Sequence, residues 1–177
     1  MKFVQVARAK KTWIYVSIFL TTAAAVGFTL YIAKPSYEGE RVPGFPLTTF
    51  DGTMWYLEEF RDRPIVMNFW AAWCVFCRKE MPDLERIYQA YRDKGVIVLG
   101  IHRSETEKKS VAEEFAKSVG ATYPLIVDIN DRMFNYFGKG APTVPITVFI
   151  NREGYVVERV VGPRTEEQFR ILVERIL

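Results

Sequence analysis

Both cysteines of the chain, Cys74 and Cys77, stand two residues apart, where an apolar run passes into a helix-like pattern. A thiol at a helix N-terminus faces unpaired backbone N–H groups and the positive end of the helix dipole. Both favour the thiolate, which is the nucleophilic form of cysteine, and the basic side chains of Arg78 and Lys79 act in the same direction. This spacing predicts a site of dithiol–disulfide exchange.

Other roles for the cysteine pair have less support. A structural disulfide stabilises mainly by closing a long loop in the unfolded chain. With only two residues between the cysteines the closed loop is very short, so the stabilisation would be small. A zinc site normally has four ligands, and the sequence adds only one histidine, His102, to the two cysteines. We therefore expect no metal site and no cofactor, since the redox group is the Cys74–Cys77 disulfide itself. We expect His102 to be a solvated loop residue near the same sheet edge.

The N-terminal part of the chain has the pattern of a membrane anchor. Residues 12–33 carry no charge and, as a helix rising about 1.5 Å per residue, are long enough to span the hydrocarbon core. Four basic residues and no acidic one precede them, so the positive-inside rule keeps residues 1–11 cytoplasmic and places the remainder outside. A signal peptide cleaved at the alanine triplet 23–25 is the alternative, but the apolar stretch continues well beyond it.

Charge gives little support for a nucleic-acid partner. The net charge of +3 is accounted for by the basic N-terminus, and the scattered Lys and Glu residues of the remainder are typical of solvated faces. Residues 34–41 are polar and contain Pro and Gly, which predicts a short tether. We expect residues 42–177 to form one exported domain.

Strand and helix patterns alternate along this domain. They predict a hairpin turning at residues 51–52 (Asp-Gly), and a capping box at Ser104 and Glu107 that begins a helix ending at Gly120. Pro82 predicts a kink in the helix that carries it. The other expected elements are strands at 65–70, 95–101 and 124–127, helices at 74–93 and 131–137, a hairpin of 144–150 with 155–161, and a C-terminal helix capped at Thr165. This order predicts an α/β fold with a mixed sheet covered on both faces.

With this order of elements, the chain resembles the membrane-anchored thioredoxin-like thiol–disulfide oxidoreductases of the TlpA/ResA type. The resemblance covers residues 42–177 and is carried by NFWAAWC followed by RKEMP within 68–82, by FPL at 45–47, and by VPITVFIN at 144–151 with the Glu-Gly turn at 153–154. It implies a thioredoxin-like mixed sheet flanked by helices, with an N-terminal hairpin and an inserted helix.

The resemblance also implies roles for individual residues. Cys74 matches the exposed attacking cysteine and Cys77 the buried resolving cysteine. Pro145 matches a cis-proline beside the disulfide, with Val144 offering backbone groups to a substrate strand. An edge-strand proline is the alternative for Pro145. Glu80 matches a helix glutamate that exchanges a proton with the resolving cysteine, and the alternative is an exposed glutamate paired with a basic residue.

Four further residues are expected to shape the site. Trp70 and Trp73 match tryptophans that shield the disulfide, although simple core packing explains Trp70 equally well. Val75 and Phe76 stand between the cysteines, where the family usually has proline before the second cysteine. The reduction potential of the cysteine pair is therefore expected to differ from the potential usual in the family. Asn68 replaces the buried aspartate of ordinary thioredoxins, which removes that acid–base group.

These observations together predict an enzyme in a bacterial cytoplasmic membrane, single-pass, with its N-terminus inside and its catalytic domain periplasmic. The resemblance implies that it reduces protein disulfides, of the cytochrome c maturation or copper-site assembly type, and we expect it to take electrons from a membrane thiol donor. The alternatives are a disulfide donor or isomerase, and a copper-binding assembly chaperone. A thiol peroxidase is disfavoured because Ala71 stands where such enzymes have threonine, three residues before Cys74.

Overall fold

The computed structural model describes residues 39–177 of the chain. The predicted cytoplasmic segment 1–11, the predicted transmembrane segment 12–33 and most of the predicted tether 34–41 lie outside the described residues. Within 39–177, no helix is both long enough and apolar enough to cross a membrane.

Seven strands and four α-helices alternate along the described part of the chain. The strands are β1 (Pro46–Thr49), β2 (Met54–Tyr56), β3 (Ile65–Trp70), β4 (Ile97–Arg103), β5 (Leu125–Asp128), β6 (Ile146–Ile150) and β7 (Val156–Val161). The helices are α1 (Val75–Tyr91), α2 (Lys109–Ser118), α3 (Arg132–Gly138) and α4 (Glu166–Glu174), with short 3₁₀ turns at Leu57–Phe60, Arg92–Lys94 and Ile129–Asp131.

The strands form one mixed sheet in the order β2-β1-β5-β4-β3-β6-β7. β3, β4 and β5 are parallel, whereas β6 pairs antiparallel with β3 and both hairpins are antiparallel. Every residue of β3 is buried, including the polar Asn68, as the short apolar run predicted. The predicted alternation of strands and helices, with a hairpin at each end of the sheet, is confirmed.

Helices cover both faces of the sheet. Consecutive residues of β3 point to opposite sides, and residues on the two sides contact different helices. Asn68 bonds to a side chain of α1, whereas the ring of the next residue, Phe69, lies 6.1 Å from the rings of both Phe134 and Phe137 in α3. Helix α2 is on the α1 side, where its Phe115 stacks on Trp70 at 5.5 Å. The cysteine pair therefore lies at the start of a helix packed on the centre of the sheet.

The inserted helix begins later than the sequence predicted. The expected capping box at Ser104 and Glu107 is wrong, because α2 starts at Lys109. The Ser104 hydroxyl instead donates to the carbonyl of Asp128, and the Glu107 carboxylate accepts from the backbone N–H of Ala72. Both side chains are engaged by distant segments, so neither is available to cap the helix.

The other predicted helix termini agree better with the structure. Thr165 caps α4 in a capping box with Gln168, as predicted. Helix α1 runs without interruption through Pro82. The kink at this proline stays a prediction.

Candidate active site

The two cysteines are joined by a disulfide at the N-terminus of α1. Cys74 is the N-cap residue of this helix, and its sulfur accepts a hydrogen bond from the backbone N–H of Cys77 at 3.0 Å. The same N–H would stabilise a thiolate on Cys74 after reduction, together with the helix dipole. The position of the pair at a strand-to-helix junction is as predicted.

Both cysteines are almost fully buried in this oxidised state. Cys74 is 4% exposed and Cys77 is fully buried, so Cys74 is only slightly more accessible, not plainly exposed as the resemblance implied. The Sγ of Cys74 lies 3.6 Å from the carbonyl oxygen of Val144, which helps to cover it. The peptide bond between Val144 and Pro145 is cis, the geometry that the resemblance implied.

Exposed apolar side chains surround the buried disulfide. Trp73, Val75 and Phe76 have 49%, 66% and 56% of their surface exposed. Large apolar side chains this accessible are typical of a surface that meets another protein. The two residues between the cysteines therefore face outward.

Trp70 lies in the core and not in this exposed surface. It is fully buried, and its ring is close to Phe50, His102 and Phe115 in the core. These contacts are those of a core residue, which was the alternative to the shielding role. Of the two tryptophans, Trp73 alone contributes to the exposed surface.

Glu80 is buried one turn beyond Cys77, with 1% of its surface exposed. Its Oε1 accepts a hydrogen bond from Nδ2 of Asn68 at 2.6 Å, and its Oε2 accepts one from the backbone N–H of Arg164 at 2.7 Å. The alternative of an exposed glutamate in a surface ion pair is therefore wrong. Two hydrogen-bond donors fix this carboxyl group in the interior, one on β3 and one in the turn before α4.

Burial raises the pKa of Glu80 to about 7, because the charged form loses its hydration. The hydrogen bonds from Arg164 and Asn68 and the positive charge of Arg164 oppose this shift, and the charge of Asp83 adds to it. A carboxyl group with this pKa both accepts and releases a proton near neutral pH.

His102 is the residue whose environment differs most from the prediction. It is fully buried in β4 rather than solvated in a loop, and its Nε2 lies 3.1 Å from Oε1 of Glu107. Burial lowers the pKa of His102, although the nearby carboxylate of Glu107 opposes this. The same Glu107 oxygen accepts the backbone N–H of Ala72 at 2.5 Å, so the pair is connected to the loop that leads into Cys74.

An open cleft lies beside the cysteine loop, between the start of α1 and α2. Its lining residues are Ala72, Trp73, Arg78, Glu107, Val111, Glu114, Phe115 and Ser118. The guanidinium of Arg78 lies over the ring of Phe115 at 4.5 Å and donates to the Ser118 hydroxyl at 3.3 Å. The inserted helix α2 thus forms one wall of the region next to the disulfide.

Sequence reasoning missed Glu107 and Arg164 as parts of the site. Glu107 was assigned to a helix cap, and Arg164 carries no motif because its contact with Glu80 spans 84 residues of sequence. The turn signal of Gly162 and Pro163 was the only local indication that the chain bends next to the site.

Comparison with known proteins agrees with this geometry. Residues 39–159 match the AhpC/TSA family. The thiol-disulfide oxidoreductase ResA of Bacillus thuringiensis is 30% identical over 166 residues, which covers 91% of this chain and 94% of the relative.

Solved structures share the same fold. A thiol:disulfide interchange protein of the thioredoxin family from Chlorobium tepidum has a TM-score of 0.70 and 26% identity, covering 80% of this chain and 98% of its own. StoA from Bacillus subtilis has a TM-score of 0.64 and 24% identity, covering 75% and 98%. The predicted thioredoxin-like α/β fold is confirmed.

Proposed function

Since this chain belongs to the AhpC/TSA family and is a thiol–disulfide oxidoreductase of the ResA type, we propose that it acts mainly as a reductase of protein disulfides outside the cytoplasm. The observation that carries the proposal is the burial of Glu80 one turn after the Cys74–Cys77 disulfide, with a pKa of about 7. Thiol–disulfide exchange requires a proton to leave and return to the resolving thiol, and such a carboxyl group accepts and returns it at neutral pH.

The first step uses Cys74 in the reduced protein. Its thiolate, stabilised by the N–H of Cys77 and the helix dipole, attacks one sulfur of a substrate disulfide. The substrate S–S bond breaks, the second substrate sulfur leaves as a thiolate and takes up a proton, and a mixed disulfide forms between Cys74 and the substrate.

The second step uses Cys77 and Glu80. The Glu80 carboxylate accepts the thiol proton of Cys77, and the resulting thiolate attacks the Cys74 sulfur of the mixed disulfide. The substrate leaves as its second thiol after protonation, and the intramolecular disulfide is restored. The substrate has gained two electrons and the protein has lost two, so a membrane thiol donor must reduce the protein again.

Substrate binding is assigned to the surface around Cys74. The cis peptide at Val144 and Pro145 places a backbone carbonyl 3.6 Å from the Cys74 sulfur, where an extended substrate segment would approach. The exposed Trp73, Val75 and Phe76 offer apolar contacts to the residues that flank the substrate cysteine. The expected substrates are proteins with cysteine pairs that must be reduced for cytochrome c maturation or for assembly of a copper site.

The compartment and the anchor are part of the same proposal. The uncharged run at 12–33 behind a basic N-terminus supports a single-pass helix in a bacterial cytoplasmic membrane, with residues 42–177 periplasmic. Alkaline phosphatase fused after Leu177 of the full chain should be active, because that enzyme needs an oxidising compartment. An active cytoplasmic reporter at the same position would contradict this topology, and recovery of a mature chain beginning near Val26 would favour a cleaved signal peptide.

A disulfide donor is the second candidate, because Val75 and Phe76 replace the dipeptide usual in the family and stand exposed beside the sulfurs. The reduction potential of the full-length protein, equilibrated in thiol–disulfide buffers, separates the two. A reductase should lie nearer to about −270 mV than to about −120 mV, and a value above about −150 mV would favour the disulfide donor.

Catalysis itself is tested by reduction of a protein disulfide with dithiothreitol as electron source. The wild-type protein should accelerate it, and Cys74→Ser should not. A copper-binding chaperone is supported less, because the only histidine, His102, is buried and faces Glu107. Equal rates for wild-type protein and Cys74→Ser would overturn the assignment of an oxidoreductase site to Cys74.

A further inference from the structure

The turn formed by residues 162–164 connects two parts of the candidate site. The backbone N–H of Gly162 donates to the carbonyl of Pro145 at 2.9 Å, and the backbone N–H of Arg164 donates to Oε2 of Glu80 at 2.7 Å. Pro145 belongs to the cis peptide next to the Cys74 sulfur, whereas Glu80 belongs to α1. One short turn thus contacts the cis-peptide segment before β6 and the buried carboxyl group at the same time.

Local geometry keeps this turn in a single shape. Gly162 has a φ of 86°, in the region that favours glycine, and Pro163 fixes its own φ through its ring. The guanidinium of Arg164 folds back and donates from Nη1 to the carbonyl oxygens of Gly162 at 3.3 Å and Pro163 at 2.9 Å. Thr165, the next residue, is the N-cap of α4 and anchors the other end.

We infer that the 162–164 turn is a positioning element that holds the Glu80 carboxyl group and the cis peptide of Val144 and Pro145 in one fixed arrangement, with Arg164 as its positioning residue. This inference rests on the proposed function, because it assigns the turn a part in the same thiol–disulfide exchange. Glu80 is then held in one orientation on α1, one turn after Cys77, by its two hydrogen-bond donors.

The charges that face Glu80 support the role of Arg164. On α1, Asp83 is negative and raises the pKa of Glu80, and before β5 the fully buried Tyr123 lies close enough to be affected by it. Asn68 on β3 is neutral and donates one hydrogen bond. Arg164 acts in the opposite direction from Asp83, through its positive charge and its backbone N–H. Displacing the turn therefore leaves the effect of burial on Glu80 less opposed.

Two glycines provide a matched pair of variants for the test. Gly154 precedes β7 and Gly162 follows it. Their φ values are 82° and 86°, and a Cβ added at either glycine would meet no heavy atom within 4 Å. Alanine is therefore strained equally at both positions. Only Gly162→Ala, however, displaces the turn that contacts Glu80 and Pro145.

The measurement is the titration of the Glu80 side-chain carboxyl carbon by NMR in the full-length protein. Gly162→Ala should raise the Glu80 pKa by about 0.5 unit or more, because a donor to the charged form is lost, and Gly154→Ala should leave it in place. Arg164→Ala keeps the backbone N–H but removes the positive charge, so it should also raise the pKa, and Arg164→Lys should restore part of the difference. The pH profile of mixed-disulfide resolution should move in the same direction.

The outcomes separate this inference from the proposed function. An unchanged Glu80 titration in both Gly162→Ala and Arg164→Ala overturns the positioning role, even if the wild-type protein is an active reductase. An equal shift in Gly154→Ala also overturns it, because the effect would then follow from general destabilisation. A wild-type protein that exchanges no disulfide instead overturns the proposed function, whatever the titration shows.

Discussion

Asn68 and Glu80 are joined side chain to side chain in the interior, with Nδ2 of Asn68 donating to Oε1 of Glu80 at 2.6 Å. Nδ2 also donates to the Thr147 hydroxyl of β6 at 2.9 Å, so the amide is oriented by one partner on α1 and one on β6. An aspartate at position 68 would instead place two carboxyl groups together, and one of them would have to remain protonated. The neutral amide leaves Glu80 as the ionisable group of this pair, available for proton exchange near neutral pH.

Replacing Glu80 by glutamine should slow disulfide exchange and change thiol reactivity. The variant keeps a similar shape but cannot accept the Cys77 proton, so turnover should fall by about 100-fold or more near pH 7. Removal of a nearby negative charge should also lower the cysteine pKa values. Turnover and the pH dependence of thiol alkylation check both effects, and a variant with wild-type turnover would contradict the proton-transfer role.

Glu80 should also make stability depend on pH. Its pKa is raised from 4.5 to about 7 in the folded protein, so the folded state binds more protons than the unfolded state between these values. Stability should therefore fall as pH rises from about 4.5 to about 7, by roughly 3 kcal/mol from this group. Urea unfolding across this range measures the slope. Glu80→Gln should flatten it, whereas the exposed control Glu114→Gln should not.

The two cysteines should differ in their trapped intermediates. Cys77→Ser leaves a Cys74 thiolate that attacks substrate but has no resolving partner, so mixed disulfides with client proteins should accumulate. Cys74→Ser is the matched control, because its remaining thiol is fully buried. Non-reducing electrophoresis of cells that express each variant makes the comparison. Equal trapping by both variants would argue against the assigned order of attack.

Phe76→Pro tests the residue that differs from the family's usual dipeptide. Position 76 lies in the first turn of α1, where proline is tolerated, and the exposed phenyl ring can be removed without loss of core packing. The reduction potential should shift by tens of millivolts, each 30 mV corresponding to about 1.4 kcal/mol for this two-electron couple. Val75→Ala controls for loss of exposed apolar surface. A potential unchanged by Phe76→Pro would show that the dipeptide does not tune the site.

Glu107 should stabilise the loop that leads into Cys74. Glu107→Ala removes the acceptor of the Ala72 N–H and the neighbour of the buried His102, and should lower the free energy of unfolding by about 1–3 kcal/mol. Glu114→Ala removes the same charge from an exposed position in the same cleft and should change it by less than about 0.5 kcal/mol. Denaturant unfolding of the oxidised proteins measures both free energies of unfolding. Similar losses for the two variants would exclude this role for Glu107.

The residues that determine the redox chemistry were recognisable from local sequence. The spacing of Cys74 and Cys77, the apolar run of β3 before them and the helix pattern after them depend on neighbouring residues only, so the sequence alone indicated a disulfide at a helix N-terminus. The mixed sheet followed from the alternation of strand and helix patterns. Glu80 and Pro145 were assigned through the family resemblance, which extends over the whole domain.

Other features depend on contacts between distant segments, and no local pattern encodes them. Ser104 and Glu107 have the spacing of a helix cap, but the folded chain brings them against Asp128 and Ala72, and those contacts replace the cap. His102 is polar and alone, which suggests a solvated residue, yet its place in the fully packed β4 buries it. The pKa of Glu80 also depends on contacts between distant segments. Only tertiary packing removes its carboxyl group from water and brings Asn68 and the 162–164 turn to its two oxygens.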